Sequence, residues 1–282
     1  MGMKSIPFAD AEFSFIAQFA HQNFGLNLTP SKKDMVYSRL LKRLRKLGLQ
    51  DFASYLALLN SPAANTEYSE LLSALTTNVT QFFREKHHFD YLRDVILPDL
   101  IGRARAGYRV RLWSAGCSAG QEAYSMALTV LALCPEAEKL DFKILASDID
   151  QQIIKFAKAA TYPQTELVAI PKNYHSFVVV PPTAVKTFGF TPSVRKLISF
   201  AELNLIADWP FSGPFDAIFC RNVAIYFDAE TQARLWHRFA AMIPENGHLF
   251  IGHSERISGP ASAIMKSVGV TAYQKRAQNA AH

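Results

Sequence analysis

The side chains able to do chemistry gather at the ends of two apolar segments of this 282-residue chain. The first, Arg109-Val110-Arg111-Leu112-Trp113-Ser114-Ala115, reads as a strand and runs into Gly116-Cys117-Ser118-Ala119-Gly120. Glycines after a strand let backbone approach a ligand closely at the carboxyl edge of a parallel sheet, which makes Gly116 a candidate binding residue. The second, Phe142 to Ser147, ends on Asp148, whose carboxylate can accept both ribose hydroxyls of an adenosine. Asp148 could equally cap the helix expected from Gln151. Together the glycine turn and the strand-end acid favour a nucleoside. A nicotinamide dinucleotide needs its pyrophosphate seated on a G-x-G-x-x-G turn, and Gly116 to Gly120 lacks that spacing. S-adenosylmethionine carries no phosphate and accepts a looser turn, so the methyl donor is the better match.

Metal chemistry is not expected. His87 and His88 have no further His or Cys at ligand spacing, and with His253 they read as surface or packing residues. Cys117, Cys134 and Cys220 are an odd, widely spaced set that suggests neither a disulfide framework nor a zinc site.

The elements that would position these groups alternate. Helices are expected from Ala119 to Leu133, Gln151 to Ala160 and Ala229 to Met242, and strands at Phe215–Cys220 and Gly247–Gly252. Strand and helix in alternation imply a doubly wound, mostly parallel α/β sheet. Residues 262–275 could add an antiparallel hairpin. Five prolines between Thr161 and Ser199 break the alternation, and Phe177–Val180, Val185–Phe190 and Arg195–Phe200 read as an inserted antiparallel β-subdomain. Before all of this, residues up to about Thr76 read as helices: Phe8–Phe24, Ser31–Leu47, Asp51–Leu59 and Thr66–Leu75. On the second, Tyr37, Leu40, Leu41, Leu44 and Leu47 form an apolar face, with Lys32, Arg39, Arg43 and Lys46 as a basic stripe beside it.

Composition sets looser bounds. With 49% apolar and 19% charged residues the chain is ordinary for a globular protein with a core domain and an accessory one. No apolar run reaches the ~20 residues that span a bilayer. Met1-Gly2-Met3-Lys4-Ser5-Ile6 carries neither a signal-peptide run nor the Ser or Thr of a myristoylation site, so a cytoplasmic location is expected. The net charge of +6 favours an acidic partner. Without interleaved aromatics or a binding motif, nucleic acid is not the expected one.

Four segments, taken in order, narrow the reading: Thr76-Thr77-Asn78-Val79-Thr80-Gln81-Phe82-Phe83-Arg84-Glu85; Trp113 through Gly116 and Gly120-Gln121-Glu122-Ala123-Tyr124-Ser125; Ala146-Ser147-Asp148-Ile149-Asp150; and Phe215 through Cys220-Arg221-Asn222-Val223-Ala224-Ile225-Tyr226-Phe227. In order and spacing they resemble the chemotaxis receptor methyltransferases of the CheR family, and Phe250-Ile251-Gly252-His253-Ser254-Glu255 fits as well. The resemblance runs from about residue 10 to the C-terminus. It implies a helical domain over 1–76 and a class I methyltransferase domain over 77–282, with the inserted β-subdomain at about 163–199. It further implies that Asn78, Thr80, Arg84, Glu122, Asp148, Asn204, Leu205, Arg221 and Asn222 contact S-adenosylmethionine, and that Arg84 and Tyr226 lie beside the transferred methyl. Gln121 and Ala123 depart from the family's Gly-Glu-Glu-Pro-Tyr-Ser, and the insertion carries only Gly189 where members that dock a receptor pentapeptide are glycine-rich. Independence from the pentapeptide is therefore expected.

The implied reaction is methyl transfer to receptor glutamates, leaving S-adenosylhomocysteine. A glutamate with a reference pKa of ~4.3 is already ionised at neutral pH and needs no general base. Arg84 would orient the carboxylate and Tyr226 the donor, where otherwise they would be a surface charge and a core aromatic. The basic stripe would meet the helical, glutamate-rich receptor bundle, in place of an ordinary solvated face. A monomer recruited to receptor arrays is expected. Two alternatives stay open here: a class I methyltransferase with another acceptor, and a regulatory module that binds the donor without turnover.

Overall fold

The computed structural model describes residues 6–182 and 186–277, so Val185, the expected start of one strand, lies outside the described residues. The described chain forms two compact units. One comprises the residues up to Thr77 together with Tyr226–Thr231, and the other Asn78–Ile225 together with the chain from Gln232.

The first unit carries α1 (Asp10–Phe24), α2 (Lys33–Leu47), α3 (Phe52–Leu59) and α4 (Asn65–Leu75). Gly25 and Gly48 end α1 and α2 in the left-handed conformation, as their positions in the sequence predict. The buried face of α2 is Val36, Leu40 and Leu44, a four-residue repeat. This corrects the expected face: Tyr37 and Leu41 are half-buried flanks, and Leu47 is 36% exposed at the helix end.

In the second unit the elements are α5 (Lys86–Tyr91), α6 (Leu97–Arg105), β1 (Val110–Ala115), α7 (Gln121–Leu133), β2 (Phe142–Asp148), α8 (Gln151–Ala159), β3 (Tyr162–Pro163), β4 (Val178–Val179), β5 (Thr187–Phe190), α9 (Pro192–Leu197), β6 (Ile198–Glu202), β7 (Ala217–Cys220), α10 (Ala229–Met242), β8 (His248–Ile251), α11 (Ala261–Ile264), β9 (Met265–Gly269) and β10 (Ala272–Lys275). The main sheet runs β6-β2-β1-β7-β8-β10-β9. Its first five strands are parallel, and β10 and β9 close it as the expected antiparallel hairpin. Every residue of β7 and β8 is buried, as an interior parallel strand covered on both faces requires. The strand order reverses between β1 and β7, the switch point beside whose carboxyl ends open α/β sheets bind ligands.

The inserted sheet is three-stranded, β3-β5-β4, but not with the expected third member. Ser193 to Leu197 continue a helical turn begun by Pro192, and Ile198–Glu202 pairs in parallel with β2 as an edge of the main sheet. The third strand is Tyr162–Pro163. A short β-prone run does not say which sheet it joins.

Candidate active site

Backbone geometry makes the turn after β1. Gly116 has φ +82°, and a Cβ there would lie 2.4 Å from Cγ2 of Val223, so only glycine fits. The N–H groups of Gly116 and Cys117 both donate to the Ser147 carbonyl at 2.8 Å. That of Ser118 donates to Asp148 Oδ2 at 2.8 Å, and that of Gly120 to the Cys117 carbonyl at 2.9 Å. The Asp150 N–H donates to the other Asp148 oxygen at 3.0 Å. Burial pushes the Asp148 carboxyl up, against the pull of these backbone donors. Asp148 does not cap α8. Asp150 does, accepting from the N–H groups of Gln152 and Ile153 at 2.9 and 3.3 Å.

Two further segments converge on this edge. Asn78 donates through Nδ2 to Asp150 at 3.3 Å, and its carbonyl accepts from the Ser118 hydroxyl at 3.2 Å, which brings Asn78 alongside the turn; Thr80, two residues on, is half-buried. The Leu203 N–H donates to the Asp148 carbonyl at 2.9 Å, so Asn204 and the buried Leu205 leave the sheet beside it.

Below β1 and β7 lies a buried charge network. Glu122 accepts from the Ser114 hydroxyl at 2.6 Å and pairs with Arg221 Nη1 at 3.2 Å. Arg221, its side chain 2% exposed, reaches Glu85 at 3.4 Å and donates to the Arg84 carbonyl. Burial raises the Glu122 carboxyl, with Arg221 and the Ser114 hydroxyl opposing. Phe83 and Glu85, on either side of Arg84, both have positive φ, so the backbone is turned sharply at the residue the sequence singles out. The Arg84 side chain donates to the Val79 carbonyl at 3.2 Å.

Asn222 has φ +59°, tolerable for asparagine, and its turn is held by Glu255. The Glu255 carboxylate accepts from the N–H groups of Asn222, Val223 and Ile225 at 3.0–3.3 Å and from that of Gly252 at 2.5 Å. A Cβ on Gly252 would come within 2.6 Å of Asn222 Nδ2. Glu255 stands in the quoted closing motif, but sequence alone assigned it no role.

The histidines divide. His88 is fully buried, its Nε2 2.8 Å from the Thr271 hydroxyl, and burial lowers its pKa to about 3. His253 is exposed and pairs with Glu85 at 3.3 Å. Glu85, His87 and His88 bring ligand-type atoms within 4.8 Å of one another, with the Arg221 guanidinium on the same carboxylate.

The remaining predicted residues belong to the helical unit. Tyr226 has its carbonyl on the Asn27 N–H at 2.7 Å and its hydroxyl 3.5 Å from the Thr77 carbonyl. Arg43 forks onto Glu67 at 2.6–2.7 Å and reaches Glu70 at 2.5 Å, with a side chain only 10% exposed. Arg39 donates to the carbonyls of Ala74, Leu75 and Thr76 at the end of α4, where cations complement the helix dipole. Lys32 donates to the Asn27 carbonyl at 2.9 Å, and Lys46 is exposed, 3.5 Å from Glu70.

Comparison with known proteins places the chain. The family model for the CheR methyltransferase all-alpha domain matches residues 11–76, and that for the CheR methyltransferase SAM binding domain matches residues 78–273. A probable chemotaxis protein methyltransferase of Rhizobium etli is 50% identical over 258 residues, covering 90% of this chain and 96% of the relative. The chemotaxis protein methyltransferase of Escherichia coli is 40% identical over 253 residues, covering 89% and 86% of the two chains. Chemotaxis protein methyltransferase 2 of Pseudomonas aeruginosa is 38% identical over 277 residues, covering 96% and 95%. The mostly parallel sheet and these matches along nearly the whole length lead to one conclusion: the chain belongs to the CheR family of S-adenosylmethionine-dependent chemotaxis methyltransferases.

Proposed function

We propose that this protein methylates glutamate side chains of chemotaxis receptors, using S-adenosylmethionine bound at the β1 and β2 edge. The observation that carries the donor assignment is the state of the glycine turn. The N–H groups of Gly116, Cys117, Ser118 and Gly120 are all bonded within the protein, so these four groups offer a pyrophosphate no cradle. A phosphate-free adenosyl ligand asks for none. The donor set suits it: each Asp148 oxygen takes one backbone N–H and keeps lone-pair capacity for a ribose hydroxyl. The half-buried carboxylates of Glu122 and Asp148 also favour a ligand bearing sulfonium and ammonium charge. Asn78, Thr80, Asn204, Leu205, Arg221 and Asn222 complete the proposed contacts around Gly116.

When bound, the donor supplies an electrophilic methyl group on sulfur. The residues of the chain orient. Arg84 holds the incoming carboxylate with Tyr226 beside the methyl, and aligned geometry of this kind lowers a barrier by ~7–11 kcal/mol. The grip of Arg84 has to be loose, because charge on the carboxylate falls as the ester forms.

The receptor-facing surface in this reading is the exposed basic edge of α2. Arg39 and Arg43 have partners inside the bundle, so Lys42 and Arg45 join Lys46 as the exposed cations. They suit a glutamate-rich helical bundle. Docking in the cytoplasm without a receptor pentapeptide, by a monomer at receptor arrays, belongs to the same proposal. The test is transfer of labelled methyl from the donor to a receptor cytoplasmic fragment. Transfer that disappears in Arg84→Ala, with donor binding weakened and still measurable, supports the reading, and wild-type protein that binds donor but labels no receptor contradicts it.

A further inference from the structure

The chain between β6 and β7, residues 203–216, is an irregular loop. Its first residues include Asn204 and Leu205: the Asn204 side chain accepts from the Ile206 N–H at 3.1 Å, and its carbonyl from the Ala207 N–H at 3.3 Å. A fixture across the fold comes from α10. Arg238 Nη1 donates to the Leu205 carbonyl at 2.9 Å and Nη2 to the Ala207 carbonyl at 2.6 Å. The face of the same guanidinium lies 3.9 Å from the centre of the Trp209 ring. That ring packs in turn on Trp113 of β1 and Phe239 of α10, with centroids 5.0 and 5.3 Å away.

We infer that Arg238 is a positioning residue for the donor site, setting the Asn204–Ala207 turn through two carbonyls and a stacked tryptophan. The inference rests on the proposed contact of Asn204 and Leu205 with the donor. Its chemistry is specific. A planar guanidinium can satisfy two neighbouring carbonyls and stack on an aromatic face at once, which an ammonium cannot. Both bonds go to carbonyl oxygens, so they orient the turn without using its N–H groups. Among the described residues no backbone carbonyl accepts the Leu205 N–H, so it stays available to a ligand. Arg238 itself touches no reacting atom, so its loss should be felt in donor affinity and not in the chemical step.

The experiment compares Arg238→Ala, Arg238→Lys and Asp148→Ala in the full chain, measuring donor binding by calorimetry, steady-state methylation and melting temperature without donor. For Arg238→Ala the expected result is a rise of about tenfold in donor Kd and KM. The kcat at saturating donor should stay within about twofold, with little change in melting. Arg238→Lys should recover part of the affinity, keeping the charge but losing the fork. Unchanged donor affinity in Arg238→Ala, with affinity lost in Asp148→Ala, overturns the positioning role and spares the donor site. Unchanged affinity in both overturns the donor-site assignment and this inference with it. A fall in kcat and melting temperature with KM unchanged marks Arg238 as a merely structural residue, and also overturns it.

Discussion

Glu255 holds Asn222 in place from the turn after the neighbouring strand: its Oε2 accepts the Asn222 N–H at 3.1 Å while also taking the Gly252 N–H at 2.5 Å. One carboxylate thus joins the turn after β7 to the turn after β8. Burial raises the Glu255 carboxyl and these backbone donors oppose it.

Replacing Glu255 by Ala should orphan several of these N–H groups, at ~1–3 kcal/mol for each one left buried and unbonded. The expected outcome is a lower melting temperature together with weakened donor binding, since Asn222 loses its left-handed turn. Glu255→Gln, which keeps one acceptor oxygen, should fall between. Donor affinity that stays at the wild-type value in Glu255→Ala would detach this turn from the site.

Gly116 offers a test by steric rescue. Gly116→Ala introduces a Cβ 2.4 Å from Val223 Cγ2 in a backbone already at φ +82°. Left-handed backbone costs an alanine ~1–2 kcal/mol, and the clash adds to it. Donor binding by calorimetry should be lost in the single variant and partly regained in Gly116→Ala with Val223→Ala, because the second change removes the clash but not the strain. Additive effects of the two substitutions would show that the contact is unimportant.

The basic residues of α2 should separate into two classes. Arg43→Ala leaves Glu67, its side chain 5% exposed, without its fork, and breaking a buried pair this way costs ~3–5 kcal/mol. Its signature is a large drop in melting temperature. Lys42→Glu with Arg45→Glu touches exposed cations, so melting and donor affinity should hold while receptor methylation slows, most visibly at low salt. Methylation at wild-type rate in that double variant would move the docking surface elsewhere.

Buried histidines give a pH dependence with a definite sign. The folded pKa of His88 is lowered to about 3 and that of His248 to about 4, in both cases first by burial. Unfolded histidine titrates near ~6.5. Between these values the unfolded chain binds more protons, so stability is full above ~6.5 and is lost as pH falls through that window. The raised carboxyls of Glu122, Asp148 and Glu255 act in the opposite sense toward the lower end of that window, so the test is a difference: from pH 7 to 4 the melting temperature of His88→Gln, which removes one such proton, should fall less steeply than that of the wild type. An identical slope in the variant would refute the assignment.

How much of this was legible in the sequence follows from distance along the chain. The glycine turn and Asp148 could be read because their chemistry sits at the ends of strands that periodicity reveals. Capping by Asp150 was not separable from Asp148, since two acids two residues apart offer the same local signal. Glu255 acts on Asn222 across 33 residues and Arg238 on Leu205 across the same span, and both contacts exist only because the fold brings those segments together. The stripe on α2 shows the same limit. Helical spacing groups Arg39 and Arg43 on one side, but nothing in the spacing says that Glu67, 24 residues on, lies against Arg43. Likewise Ile198–Glu202 is β-prone in either sheet, and only its register with β2 decides between them.

The most direct test of the central claim is the bond the enzyme makes. Protein, methyl-labelled S-adenosylmethionine and a chemoreceptor cytoplasmic fragment are incubated together, and the labelled receptor is then treated with mild base. Label released as methanol, and missing from receptor fragments whose methyl-accepting glutamates are replaced by alanine, is the predicted result. Label that survives base, or that persists on those alanine variants, would contradict a glutamate methyl ester and with it the proposed function.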